Sequence, residues 1–157
     1  MTDKAQSGSI RPDENRRELM GLLARSDAGL LSGLYHEIGN EPDFIYLRKP
    51  EAGAITLRGR MGGGGVPFNM GEASVTRATV SLAGGEVGHA FILGRDGEKA
   101  RIAAIIDALY QRDDMRSRIE SSMLPRLREA EAAELDRTRA QTAATKVDFF
   151  TMVRGED

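Results

Sequence analysis

The sequence predicts an α+β fold: an N-terminal helical hairpin, an antiparallel meander of about four strands, then C-terminal helices and a final strand. Three observations predict it. Apolar residues recur with a helical period in the first forty positions and again after position 96. Between these stretches the pattern alternates in twos and is punctuated by glycine and proline. The last dozen residues return to strand composition.

Residues 1–12 are small and polar with no periodicity, and read as a disordered extension; 13–157 read as a single domain. Asp13 to Arg25 is expected to be helical, with Leu19, Met20, Leu22 and Leu23 as its apolar stripe. Asp27 is placed to cap a second helix ending near Gly39, in which Leu30, Leu31, Leu34 and Ile38 share a face. Asp43 to Lys49 reads as a strand closed by Pro50. A turn at Gly53 leads to a second strand, Ala54–Met61, with Ile55, Leu57 and Met61 on one side and Thr56, Arg58 and Arg60 on the other. After the glycine run Gly62–Gly65, two more strands, Ser74–Leu82 and Val87–Leu93, flank Gly84-Gly85. Asp96 is an N-cap for a helix running to about Arg112, with Ile102, Ile105, Ile106 and Leu109 facing a core. The charged segment from Asp114 to Thr145 is expected to be helical, with Pro125 starting a new helix or kinking this one, and with a narrow seam of Met115, Ile119, Met123 and Leu127. Lys146–Val153 is a last strand.

Composition limits the chemistry. The chain has 157 residues, 40% hydrophobic and 29% charged, with a net charge of -2 and no cysteine. Thiolate nucleophiles, disulfides and thiolate-bound clusters are therefore excluded. No apolar run approaches the ~18 residues of a membrane span, and the N-terminus lacks a signal-peptide core, so a cytoplasmic protein is expected. The mixed signs of 112–139 read as a solvated helix face and not as a nucleic-acid surface. His89, between Val87 and Phe91, reads as a core histidine and His36 as a surface one; no catalytic or metal constellation emerges.

The glycine run is not a Walker loop, because Val66, Pro67 and Phe68 stand where lysine and a hydroxyl residue are required. One region supports an anion site. From Ala54 to Gly85 the only acid is Glu72, against Arg58, Arg60 and Arg77. Arg58 and Arg60 would lie about 7 Å apart on one strand face. With Arg95 and the amides of Gly62 and Gly63 they are the anion-binding candidates, suited to phosphate or phosphonate; a solvated sheet face is the plainer reading of each arginine. At the C-terminus, Phe149 and Val153 fall on one face of the last strand, and Phe150 and Met152 on the other. With Arg154 they are candidate subunit-interface residues, since a strand apolar on both faces needs cover on both.

Four strings resemble the PhnG family, the G subunit of the bacterial carbon–phosphorus lyase system. They are RMGGGGVPFNMGEASVTRATVSL (Arg60–Leu82), GRD (Gly94–Asp96), DAL (Asp107–Leu109) and VDFFTMVRG (Val147–Gly155), and the resemblance covers about residues 16–157. It implies work with the H, I and L subunits, which together displace adenine from MgATP with methylphosphonate to give ribose 1-methylphosphonate 5-triphosphate. It also implies a place in a core complex with the H, I and J subunits. The nucleosidase chemistry is placed on the I subunit and the radical iron–sulfur chemistry on the J subunit. The resemblance therefore implies an accessory chain that binds no cofactor alone, most directly in contact with the I subunit, with MgATP a substrate of the whole complex.

Overall fold

The computed structural model describes residues 12–39 and 41–145. The N-terminal hairpin forms as expected, from α1 (Pro12–Arg25) and α2 (Ala28–Ile38). The Asp27 carboxylate accepts the amide of Leu30 at 3.0 Å, satisfying one of the orphan donors at the start of α2. Gly39 ends the helix with φ 67°. Leu31, Leu34 and Ile38 are buried on the expected stripe, joined by Tyr35.

Among the described residues the sheet has three strands, where the meander was expected to have four. A single strand, β1 (Phe44–Arg60), runs through Pro50 and Gly53 to pair antiparallel with β2 (Pro67–Leu82), and β3 (Val87–Leu93) pairs with the other side of β2. Proline was expected to end a strand because it cannot donate to a ladder. Here β1 is an edge strand, and its register slips where Arg48 faces Thr79 but Glu51 faces Arg77. The residue thus accommodated on β1 is a bulge, which is where an edge tolerates proline. A further slip, between Leu57 and Arg58, puts an extra residue, Met70, on β2, and Leu57 and Met61 are both exposed.

The β2–β3 turn closes with the amide of Gly85 (φ 95°) donating to the carbonyl of Leu82 at 2.9 Å. Asp96 then caps α3 (Gly97–Leu109) by accepting the amide of Lys99 at 2.9 Å. This helix is the centre of the molecule: every residue from Ile102 to Tyr110 is buried. Thr76, Ala78, Val80 and Leu82 of β2 and Ala90 and Ile92 of β3 are buried on the sheet face that packs on it. Contact is closest at Gly88, where a Cβ would stand 1.9 Å from the carbonyl oxygen of Ala104.

The charged segment is helical throughout: α4 (Asp113–Arg118), a π-helical turn (Ile119–Met123) and α5 (Leu124–Ala144), with Pro125 in the first turn of α5. Ile119, Met123 and Leu127 form the buried seam, with Met115 partly buried against it. Beyond Leu127, α5 is mostly exposed; paired hydrogen bonds from Arg128 to Glu18 at 2.7 and 2.9 Å tie it to α1. Among the described residues no helix is long and apolar enough to cross a membrane. Of the extension expected over residues 1–12, Pro12 begins α1 and the rest lies outside the described residues, as does the strand expected at 146–153.

Candidate functional site

The sheet is longer than the body that supports it. β3 reaches only as far as Val75 on β2, which it faces through Leu93. From Ser74 back to Pro67, β1 is the only strand beside β2 among the described residues, so residues 54–74 form a two-stranded ribbon, an arm. Its tip is a 3-10 turn, Met61–Gly63, in which Gly62 and Gly63 take φ 59° and 79°, a region that only glycine enters without strain. The amide of Gly65 closes the tip onto the carbonyl of Met61 at 3.0 Å. The glycine run is therefore the cap of a ribbon.

The arm carries its own apolar surface. Val66 is 84% exposed, Met61 78% and Met70 66%, with Leu57 and Phe68 also exposed. Leu57 faces Gly71 across the ribbon, and Phe68 faces Gly59, two positions further along β1 and so on the same face as Leu57. Met70 lies over the bare backbone of Gly59, its sulfur 2.2 Å from where a Cβ would be.

The anion candidates do not converge. Arg58 and Arg60 lie near the tip with Gly62 and Gly63. Arg60 donates to the carbonyl of Gly65 at 3.0 Å, and Arg58 makes no hydrogen bond or ion pair among the described residues. Arg77 stands ten positions along β2 from Pro67, the partner of Arg60, which is about 33 Å of strand. It is also bound to Glu51 at 3.2 Å, and Glu51 is shared with Arg48. The acid-poor stretch counted in the sequence thus finds its carboxylate just outside its own limits, on the neighbouring strand.

Arg95 sits at the β3–α3 junction, exposed and without a partner among the described residues. Buried Thr76 builds that junction by donating to the carbonyl of Gly94 at 2.7 Å and accepting the amide of Asp96 at 3.2 Å. Phe149, Phe150, Met152, Val153 and Arg154 lie outside the described residues.

The sheet face away from α3 is open as well. His89 was expected in the core; its ring lies on this face, exposed, with Nδ1 3.2 Å from Thr79 Oγ1. Strand alternation explains the difference, since Ala90 and Ile92 take the buried positions and leave His89, Phe91 and Leu93 outside. The backbone of His89 does reach inward, where its amide donates to Asp107 at 2.9 Å. Asp107 is fully buried and also accepts a two-pronged hydrogen bond from Arg16 at 2.7 and 2.8 Å, so one carboxylate joins α1, α3 and β3. Sequence reading missed it, because an acid between Ile106 and Ala108 had no visible partner; Arg16 is 91 residues away. Among the described residues no group of histidines and carboxylates could hold a metal ion. A groove of about 610 Å³ between α1 and α5 is lined by helix-surface side chains such as Arg25, Ala130 and Leu135.

The architecture is that of a two-layer α+β domain, with its helices packed on one face of a small antiparallel sheet, an open face opposite and a projecting β-arm. The chain belongs to the family of the phosphonate metabolism protein PhnG, which it matches over residues 14–155. It is 49% identical, over 161 aligned positions covering 100% of both chains, to the alpha-D-ribose 1-methylphosphonate 5-triphosphate synthase subunit PhnG of Rhizobium meliloti (strain 1021).

Proposed function

We propose that this chain is a subunit of a ribose 1-methylphosphonate 5-triphosphate synthase, acting in the cytoplasm with H, I and L subunits to exchange the adenine of MgATP for methylphosphonate. The observation that carries the reading is the 49% identity across the whole of both chains to a subunit of that synthase. In that reaction the bond from the ribose anomeric carbon to adenine breaks and a bond to a phosphonate oxygen forms. The role of this chain is assembly: it binds and orders the I subunit, and also stands in a core complex with H, I and J. Support for an accessory role comes from the surface, where an open sheet face and an arm present apolar side chains without cover from the body.

Co-expression tests the reading. The tagged chain should bring down the I subunit, and the assembled enzyme, not the isolated chain, should release adenine from MgATP and methylphosphonate. Adenine release by the purified chain alone would defeat the accessory role. Recovery of no partner would defeat the whole reading.

A second reading, in which the chain lends arginines to a shared phosphate or phosphonate site, is favoured by Arg58 and Arg95, which carry no carboxylate among the described residues. It is weakened for Arg77 by the ion pair with Glu51.

A further inference from the structure

We propose that residues 54–74 are a docking arm that enters a groove on another subunit of the same synthase, apolar along its floor and edged with carboxylates. The inference rests on the reading above, that the chain works inside a multi-subunit enzyme, and it adds which part of the chain docks and against what chemistry.

The first argument is stability. A two-stranded ribbon is marginal in water, because neither face is covered. This one gathers Leu57, Phe68 and Met70 on one face and Met61 and Val66 at the tip, all exposed. Monomers rarely leave so much contiguous apolar surface bare.

The second is size. A standard interface takes about 20–30 residues from each side, and the ribbon, residues 54–74, supplies a footprint of that order by itself. Its glycine turn keeps the tip narrow enough to enter a cleft. Among the described residues both long edges of the arm, the outer edge of β1 and that of β2 before Val75, have no strand beside them, and each can accept one from the groove wall.

The third argument chooses the occupant. The arm carries Arg58 and Arg60 against the single acid Glu72. Arg58 has no partner among the described residues, and Arg60 holds only a carbonyl of its own turn. Two copies packed arm on arm would bring positive charge to positive charge, whereas carboxylates on a different subunit complement it. The apolar side chains flanking these arginines fit a protein groove better than a hydrated polyphosphate.

Three double variants of the full chain test this: Met61→Ser with Val66→Ser, Phe68→Ser with Met70→Ser, and Arg58→Glu with Arg60→Glu. Each is co-expressed with the remaining synthase subunits. The isolated variants should melt within about 2 °C of the parent, as exposed positions do. Their recovery of the other subunits should fall by about tenfold or more, the scale of losing one good interface anchor. For the charge reversal the loss should be deepest at low salt.

Full recovery with all three variants would overturn the proposal. So would a charge reversal that assembles fully but stops turnover, which would assign the arginines to substrate phosphate. A homodimer of the isolated chain that the apolar variants dissolve would make a second copy the occupant, and a marked drop in melting temperature would mean the arm packs on its own body. If the parent chain recovers no subunit at all, it is the functional reading that fails, and the docking partner with it.

Discussion

Replacing Asp107 by alanine should destabilise the chain by about 2–4 kcal/mol. Its carboxylate is fully buried and accepts two hydrogen bonds from Arg16 and one from the backbone of His89. Removing one partner of a buried pair typically costs about 3–5 kcal/mol, because the other charge is stranded. Here that cost is reduced, since the Arg16 side chain keeps 34% of its surface in solvent and can turn outward. The amide of His89 has no such freedom, as it belongs to a strand packed on α3, and an unsatisfied buried donor costs about 1–3 kcal/mol. For a domain of this size each kcal/mol moves the melting temperature by about 2–4 °C, so a drop of roughly 4–16 °C is expected. Thermal unfolding followed by circular dichroism measures it. Arg16→Ala should cost at least as much as Asp107→Ala, since it strands a fully buried carboxylate with only the amide of His89, among the described residues, to hold it, and the double variant should cost less than the sum. An Asp107→Ala protein melting within about 1 °C of the parent would refute the claim that this carboxylate holds α1, α3 and β3 together.

Two other expectations concern the body of the fold. Gly88→Ala should cost about 3 kcal/mol, because the new methyl meets the backbone oxygen of Ala104 at 1.9 Å and a helix cannot yield locally; denaturant titration should show a lowered midpoint with an unchanged slope. The second is a pH dependence. Burial, then the hydrogen bond to Glu120 and its negative charge, push the Tyr110 phenol up from 10.0 to about 12. The folded state therefore holds this proton more tightly, so its contribution is complete below pH 10 and is lost as pH rises toward 12. Stability measured across that window should fall less steeply in Tyr110→Phe than in the parent.

The helices were legible because their signals are local. Asp27 and Asp96 cap the helices they were expected to cap, and the stripes through Leu31, Leu34, Ile105 and Leu109 are buried as the period requires. The sheet was legible in its meander and not in its strand count. Pro50 and Gly53 look like terminators in a sequence, and only the position of β1 at an edge makes them harmless. Asp107 was hidden for the opposite reason: its meaning lies in a partner at the far end of the chain. The anion candidates failed to converge because acid-poor composition was measured along the sequence, whereas charge is paired across strands. Glu51 reaches Arg77 over a gap of 26 residues.

The strings that carried the family resemblance divide, in the structure, into two kinds. The GRD turn is architectural: Gly94 turns with φ 92°, Thr76 clamps it, and Asp96 starts α3, while only Arg95 faces out. The DAL triplet is architectural too, with Asp107 as the buried hub, Ala108 beneath Gly88 and Leu109 in the core. Neither explains itself by chemistry at a surface. The long string from Arg60 to Leu82 differs along its length. Its second half, from Val75, pairs with β3 and, through Thr76, Ala78, Val80 and Leu82, supplies the core; its first half is exposed on both faces. A monomer has no use for apolar residues at 61, 66, 68 and 70 that contribute nothing to its own core, and such positions would serve solubility better as polar side chains. Their exposure is the physical ground on which the proposed docking of the arm rests.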